Sequence, residues 1–113
     1  MIKRTAAISG ILLLCGQAMP SFAAEASRNY KSLCVSCHGK DAKGVPAMTK
    51  VFKVAPSEMD LTSEEVQAKA DADLAKAIHD GKGKMPAFKN KLSDKQIAEL
   101  VKFVKTPGAA QKP

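Results

Sequence analysis

The sequence predicts an all-α domain built from about four to five short helices. Two stretches, 62–65 and 93–96, have the Thr/Ser-x-x-Glu/Gln pattern that opens helices. No run of β-branched residues is present that would supply a strand-rich fold. A chain of 113 residues has room for one small domain.

The first predicted helix covers residues 26–33 and leads directly into a pair of cysteines. Residues 40–56 are predicted as a loop, because Gly44, Pro46 and Pro56 interrupt any regular pattern there.

The C-terminal half is predicted to be more regular. Thr62 is expected to cap a short helix, and Asp71 is expected to cap the next one, which Gly81 ends. Ser93 is expected to cap the last helix. That helix has an apolar stripe at i, i+3, i+4 and i+7, made of Ile97, Leu100, Val101 and Val104.

Residues 1–23 have the features of a secretory signal peptide that is removed on export. Two early basic residues precede an apolar run over 6–18, and small residues at Ser21 and Ala23 suit cleavage after Ala23. An uncleaved membrane anchor and a lipoprotein acylated at Cys15 are alternatives. The apolar run is shorter than the 18 residues or more that span a membrane.

Removal of the predicted signal peptide changes the charge balance. Residues 1–23 carry two of the 18 basic side chains and none of the 11 acidic ones. The other 90 residues therefore carry 16 basic and 11 acidic groups, a net charge of +5. The domain is predicted over 24–106, followed by a frayed tail over 107–113.

Composition indicates that the centre of the domain is filled by something other than side chains. Only 4% of the residues are aromatic, which is little for a small core. This favours a cofactor, a metal or a partner at the centre.

The stretch Cys34-Val35-Ser36-Cys37-His38 is the strongest chemical motif in the chain. The spacing C-x-x-C-H is typical of covalent haem c attachment. Two thiols three positions apart can each bind one vinyl group at a porphyrin edge. The histidine that follows is carried under the ring, where its imidazole can bind iron. The motif predicts one covalent haem c with its iron.

Two other functions of this motif are open on spacing alone. A thioredoxin-type redox pair needs a βαβ context, which the sequence does not suggest. A zinc site needs four ligands, whereas Cys34, Cys37 and His38 supply three. His79 is the only other histidine and is expected to be a solvated surface residue.

Met85 is the best candidate for the second axial ligand of the iron. It lies in Gly81-Lys82-Gly83-Lys84-Met85-Pro86, where glycines allow a close backbone approach and the proline holds Met85 extended. Met48, only ten residues after His38, and Met59, which suits a core position, are the alternatives.

These motifs together make the chain resemble a class I, mono-haem bacterial cytochrome c. The resemblance covers residues 25–105 and depends on the haem motif, on residues 81–88 and on the ending 92–104. It implies a cytochrome c fold wrapped around one covalently bound haem. Tyr30 and Phe103 are then expected where the first and last helices cross, with Ala26 at the position where the family usually has glycine.

The resemblance also implies roles for single residues. Cys34 and Cys37 would be the thioether attachment points, His38 the proximal ligand and Met85 the distal ligand. The carbonyl of Pro46 would accept the hydrogen bond of the proximal imidazole. Such an acceptor fixes the ring and raises its basicity.

The expected function is that of a soluble periplasmic electron carrier and not of an enzyme, because two axial ligands close the iron to substrates. The alternative is a small-ligand sensor or an enzyme accessory module in which Met85 detaches. The expected partners are redox proteins with acidic docking surfaces, met by a monomer, with no nucleic acid and no stable membrane insertion. Two lysine-rich segments, 38–56 and 81–95, suit such docking.

Overall fold

The computed structural model describes Gly10, residues 22–106 and Gly108. In that part of the chain there are seven α-helices: α1 Phe22–Leu33, α2 Val35–His38, α3 Pro46–Phe52, α4 Pro56–Met59, α5 Glu64–Ala68, α6 Asp71–Asp80 and α7 Asp94–Lys105. The all-α prediction is confirmed. Most of the predicted signal peptide and of the tail after 106 lies outside the described residues. None of the described helices is long and apolar enough to cross a bilayer.

The first and last long helices, α1 and α7, cross at an aromatic contact, as predicted. The ring centroids of Tyr30 and Phe103 lie 5.3 Å apart, and the planes are tilted by 44°. Ala26 is only 1% exposed, so its small side chain allows the two helices to approach closely. Contacts of this kind between aromatic rings contribute about 0.5–1.5 kcal/mol beyond the area they bury.

Helix α7 begins where the sequence predicts and buries the predicted stripe. The backbone N–H of Gln96 donates to the Ser93 hydroxyl (3.1 Å), and Gln96 Oε1 accepts from the Ser93 N–H (2.8 Å). This is the reciprocal pattern of a capping box. The side-chain amide of Gln96 also donates to a Glu25 carboxylate oxygen on α1 (2.8 Å). Most of the stripe is fully buried, namely Ile97, Leu100 and Val101.

Helix α6 packs against α7 and ends at Gly81, as predicted. Its N-cap residue is Ala70, and Asp71 is the first helical residue, so the prediction of Asp71 as the cap is wrong by one position. An aspartate in the first turn still interacts favourably with the helix dipole. The chain that follows α6 folds back onto the C-terminal end of this helix, where the Phe88 N–H donates to the Ile78 carbonyl (2.9 Å).

The predicted loop over 40–56 contains α3 and the start of α4, which corrects the prediction. Pro46 and Pro56 are the first residues of these helices. Proline suits that position because its missing N–H would have no partner there. Both prolines therefore begin helices and do not interrupt them.

Helix α5 starts one residue later than predicted. Its cap is Ser63, whose hydroxyl accepts the Val66 N–H (3.3 Å). Thr62 instead donates its N–H and its hydroxyl to Asp60 Oδ1, at 2.8 and 2.6 Å. These hydrogen bonds lower the pKa of Asp60 and fix the turn between α4 and α5.

Candidate functional site

The two cysteines of the C-x-x-C-H motif lie at the junction of α1 and α2. The Cys34 N–H donates to the Tyr30 carbonyl (2.9 Å), which continues the hydrogen bonding of α1 by one residue. The Cys34 carbonyl then accepts from the N–H groups of Cys37 (3.2 Å) and His38 (2.9 Å). One tight helical turn therefore follows Cys34 and carries the second thiol and the imidazole. We refer to residues 34–61 as the histidine segment.

The thiols are free and half-buried. Burial raises the pKa of Cys34 to about 11, and the neighbouring Cys37 adds to this rise. A nucleophilic cysteine of the thioredoxin type has a lowered pKa instead. The environment of Cys34 thus opposes the redox-pair interpretation.

The zinc interpretation lacks a fourth ligand in the part of the chain that the structure describes. There, no group of three or more His, Cys, Asp or Glu side chains is arranged to hold a metal ion. The imidazole of His79 lies at the end of α6, where its Nδ1 is 2.6 Å from the carboxylate of Asp80. It is a partly exposed surface residue, as the sequence predicts.

His38 is held by one hydrogen bond to the backbone. Its Nδ1 lies 2.8 Å from the carbonyl oxygen of Met59. A carbonyl oxygen can only accept, so Nδ1 carries the hydrogen and, in the neutral ring, the lone pair is on Nε2. Burial lowers the pKa of His38, although the bond to Met59 opposes this shift. The neutral imidazole is the form that can bind iron.

The acceptor of the His38 hydrogen bond is Met59, so the prediction of Pro46 is wrong. The Pro46 carbonyl accepts the hydroxyl of Thr49 instead (2.7 Å), inside α3. Met59 is the last residue of α4, and the last carbonyls of a helix have no partner within it. Its carbonyl is therefore available to the imidazole, whereas its side chain is 8% exposed and belongs to the core.

The loop after His38 is folded back on the motif by backbone hydrogen bonds. The Gly44 N–H donates to the His38 carbonyl (2.7 Å), and the Val45 N–H donates to the Cys37 carbonyl (3.1 Å). From α1, the Tyr30 hydroxyl donates to the Gly39 carbonyl (2.6 Å). Burial raises the pKa of Tyr30, so the hydroxyl keeps the proton that it donates.

Met85 lies at the end of a tight turn, in what we call the methionine segment (residues 81–88). Lys82 and Met85 exchange both backbone hydrogen bonds, N–H to O at 3.1 and 2.9 Å. Gly81 has a φ of +79°, and a Cβ there would lie 2.8 Å from the Met85 carbonyl oxygen. This contact, between two parts of the turn's own backbone, requires glycine at residue 81. The close approach of this backbone to the cofactor, which the sequence predicts, stays a prediction.

Two of the proposed site residues, Cys34 and Met85, contact the same hydrophobic cluster. Side chains of Cys34 and Met85 both pack, partly buried, against the main hydrophobic cluster, together with Leu61 and Ile78. By their chemistry, two thiols, a neutral imidazole and a thioether are the groups that a covalently bound, six-coordinate haem requires. The residues present therefore fit this cofactor.

Sequence reasoning missed three contributors to the site. The Met59 carbonyl carries no signal in the sequence, because every residue has one. Gly44 was expected only to break regular structure, and the Tyr30 hydroxyl was not expected to contribute beyond the aromatic contact. The positive φ of +93° at Gly44 is the one property that its residue type could have indicated.

Comparison with known proteins identifies the family. Residues 21–104 match the family described as cytochrome c oxidase, cbb3-type, subunit III. The chain belongs to this family. It is a small c-type cytochrome, and c-type cytochromes carry haem c with iron and are usually exported.

One solved structure and one curated protein are similar to this cytochrome. The solved structure of the KustC0563 c-type cytochrome superposes with a TM-score of 0.60, at 24% identity, over 71% of this chain and 93% of that one. It supports the fold. A nicotinate dehydrogenase subunit of Pseudomonas putida is 32% identical in an alignment of 94 residues that covers 76% of this chain. The chain spans about 7% of the length of that curated relative.

Proposed function

We propose that this cytochrome carries single electrons, with His38 and Met85 as the axial ligands of one haem held by Cys34 and Cys37. The observation that carries the proposal is the hydrogen bond from His38 Nδ1 to the Met59 carbonyl (2.8 Å). It orients the ring, keeps the lone pair on Nε2 and raises the basicity of the imidazole.

The remaining residues of the site each have one task. Bound haem supplies an iron that gains and loses one electron. Cys34 and Cys37 hold the group covalently, since their thiols follow one another within a single helical turn. Met85 offers a neutral thioether, which with histidine opposite favours the reduced iron and a high potential. The turn closed by Lys82 keeps Met85 at a defined position.

Electron transfer without bond chemistry follows from this ligand set. When both axial positions are filled by protein, no site is open to oxygen, peroxide or a substrate. The similarity to a dehydrogenase subunit favours one alternative, in which this chain receives electrons as an accessory module of an enzyme. The two functions use the same chemistry and differ in the partner that supplies the electron.

We propose a periplasmic location, reached by export and removal of residues 1–23. Helix α1 begins at Phe22, so cleavage after Ala23 would shorten it by two residues at an exposed end. Ala26 and Tyr30, which make the contacts with α7, would stay in place. The mass of the exported protein tests this: a chain starting at Ala24 plus one haem is expected.

The decisive experiment is an optical spectrum of the exported full chain combined with a redox titration. A weak thioether–iron band at the red end of the ferric spectrum and one single-electron transition are expected. High-spin features in the ferric protein would show an open axial position and would refute the carrier with His/Met ligation.

The charge pattern supports brief docking on acidic partners, and we propose that the cytochrome docks as a monomer. Residues 38–56 have a net charge of +3 and residues 81–95 have +4, whereas residues 57–80 between them have −5. All lysines of the two positive segments are exposed: Lys40, Lys43, Lys50, Lys53, Lys82, Lys84, Lys89, Lys91 and Lys95. These segments carry the proposed axial ligands, so their charge would guide a partner toward the cofactor.

Electron transfer to an acidic redox protein should slow as ionic strength rises, because salt screens this attraction. The double variant Lys82→Glu, Lys84→Glu should be slower at low salt, with little change in potential. Lys31→Glu with Lys76→Glu makes the same change in net charge at exposed lysines outside both segments and should slow the reaction less. A stopped-flow rate that is equal at low and high salt would rule out steering.

A further inference from the structure

Gly44 contacts both partners of the hydrogen bond that orients His38. Its N–H donates to the His38 carbonyl at 2.7 Å. A Cβ on Gly44 would lie 2.9 Å from the Met59 Cβ, 3.4 Å from the Met59 carbonyl carbon and 3.5 Å from its oxygen. The backbone of Gly44 is thus in direct contact with the end of α4 that carries the acceptor.

The end of α4 has little freedom to move away from Gly44. The Met59 side chain is 8% exposed and packed in the core. Two residues later, the Leu61 N–H donates to the Ala42 carbonyl (2.7 Å), within the same loop as Gly44. A contact below 3.0 Å requires something to shift, and the methionine Cβ is fixed to the backbone. Any side chain at residue 44 therefore forces residue 44 and Met59 apart.

We propose that Gly44 is a positioning residue for the proposed proximal ligand, because its missing side chain lets the Met59 carbonyl reach Nδ1 of His38. This inference rests on the proposed function, in which His38 binds the iron. A weaker hydrogen bond makes the imidazole less basic and a poorer donor to iron. The oxidised state then loses more stabilisation than the reduced state, and the potential rises.

Gly44→Ala in the haem-loaded full chain tests the proposal. The direct measurement is exchange of the His38 Nδ1–H with solvent, followed by NMR in the reduced, diamagnetic protein. Loss of an ordinary hydrogen bond should speed this exchange about tenfold. The midpoint potential should rise, while the thioether band, which reports on Met85, should persist.

Gly108→Ala is the matched control for backbone strain. Gly108 also has a left-handed φ (+72°), but a Cβ there meets nothing within 4 Å. In this control, the exchange rate of the His38 Nδ1–H and the midpoint potential of the haem should stay at wild-type values. If Gly44→Ala behaves in the same way as the control, the positioning role is refuted. A wild-type protein without the thioether band would instead refute the proposed ligation, independently of Gly44.

The double variant Gly44→Ala, Met59→Gly decides the case in which Gly44→Ala does not yield folded, haem-loaded protein. It removes the methionine Cβ that the alanine would meet. Recovery of haem-loaded protein in the double variant supports the proposal. If some Gly44→Ala single variant can also be purified, the double variant should show slower exchange of the His38 Nδ1–H than that single variant. If Gly44→Ala lowers the yield of haem-loaded protein as much in a Met59→Gly background as in the wild type, the proposal is overturned, because the contact with Met59 would not be the cause.

Discussion

Contacts that hold the histidine segment join residues far apart in the chain, whereas those that hold the methionine segment join near neighbours. His38 bonds to Met59, 21 positions away. Met85 is held by Lys82, three positions away. Closing the longer loop costs more chain entropy, by about 2 kcal/mol for a sevenfold difference in length. The histidine segment therefore depends more on its packing and on the proposed covalent links to haem, and the methionine segment more on its own turn.

Removal of the proposed covalent links to haem should have the largest effect, because it would take away the cofactor that both segments are proposed to hold. We expect the double variant Cys34→Ala, Cys37→Ala to be mostly unfolded, since 90 residues with few aromatics form a marginal core. Circular dichroism during heating measures this. Ser36→Ala, in the same motif, should melt cooperatively like the wild type. A cooperative transition with native helix content in the double variant would contradict the expectation.

Replacement of Met85 should affect the methionine segment alone. In Met85→Ala, haem should stay attached and the thioether band should disappear completely. The potential should fall, since the ligand that raises it is gone, and cyanide should bind more readily. Met48→Ala, at a partly buried position on α3, is the control and should keep the band. Loss of the band in the control, with the band kept in Met85→Ala, would assign the ligand to Met48.

The smallest of the three effects is expected for one hydrogen bond of the histidine segment. Tyr30→Phe keeps the ring contact with Phe103 but leaves the buried Gly39 carbonyl without its 2.6 Å partner. The free energy of unfolding in denaturant should fall by about 1–3 kcal/mol, with an unchanged haem spectrum. Ser32→Ala removes an exposed hydroxyl from the same helix and should cost about 0.5 kcal/mol or less. Equal stabilities of the two variants would mean that the Tyr30 hydroxyl contributes nothing.

The same contrast explains which parts were predictable from sequence. The Met85 turn and the Ser93 cap are local patterns, in which glycine or a capping side chain is needed at a fixed spacing. The end of α6 at Gly81 is local too. The acceptor for His38 was not predictable, because a backbone carbonyl is common to all residues and its position depends on how α4 is placed.

Errors at helix starts have equally local causes. Proline both breaks helices and begins them, so Pro46 and Pro56 were compatible with either outcome. Thr62 and Ser63 are adjacent residues that can both cap, and the choice is made by Asp60, which binds Thr62 and leaves Ser63 to cap α5. The Tyr30–Phe103 contact joins distant parts of the chain and was reached only through the resemblance to cytochromes c.

The amide of Gln96 has a consequence for the choice of residue in the capping box of α7. Its oxygen accepts from Ser93, and its nitrogen donates to the Glu25 carboxylate on α1 (2.8 Å). Glutamate is the usual alternative at this position and would serve the first contact equally well. It has no donor when ionised, and it would set two carboxylates against each other at hydrogen-bond distance. Glutamine at residue 96 thus links to Glu25, 71 positions away in the sequence, and its amide contributes to the pairing of α1 with α7.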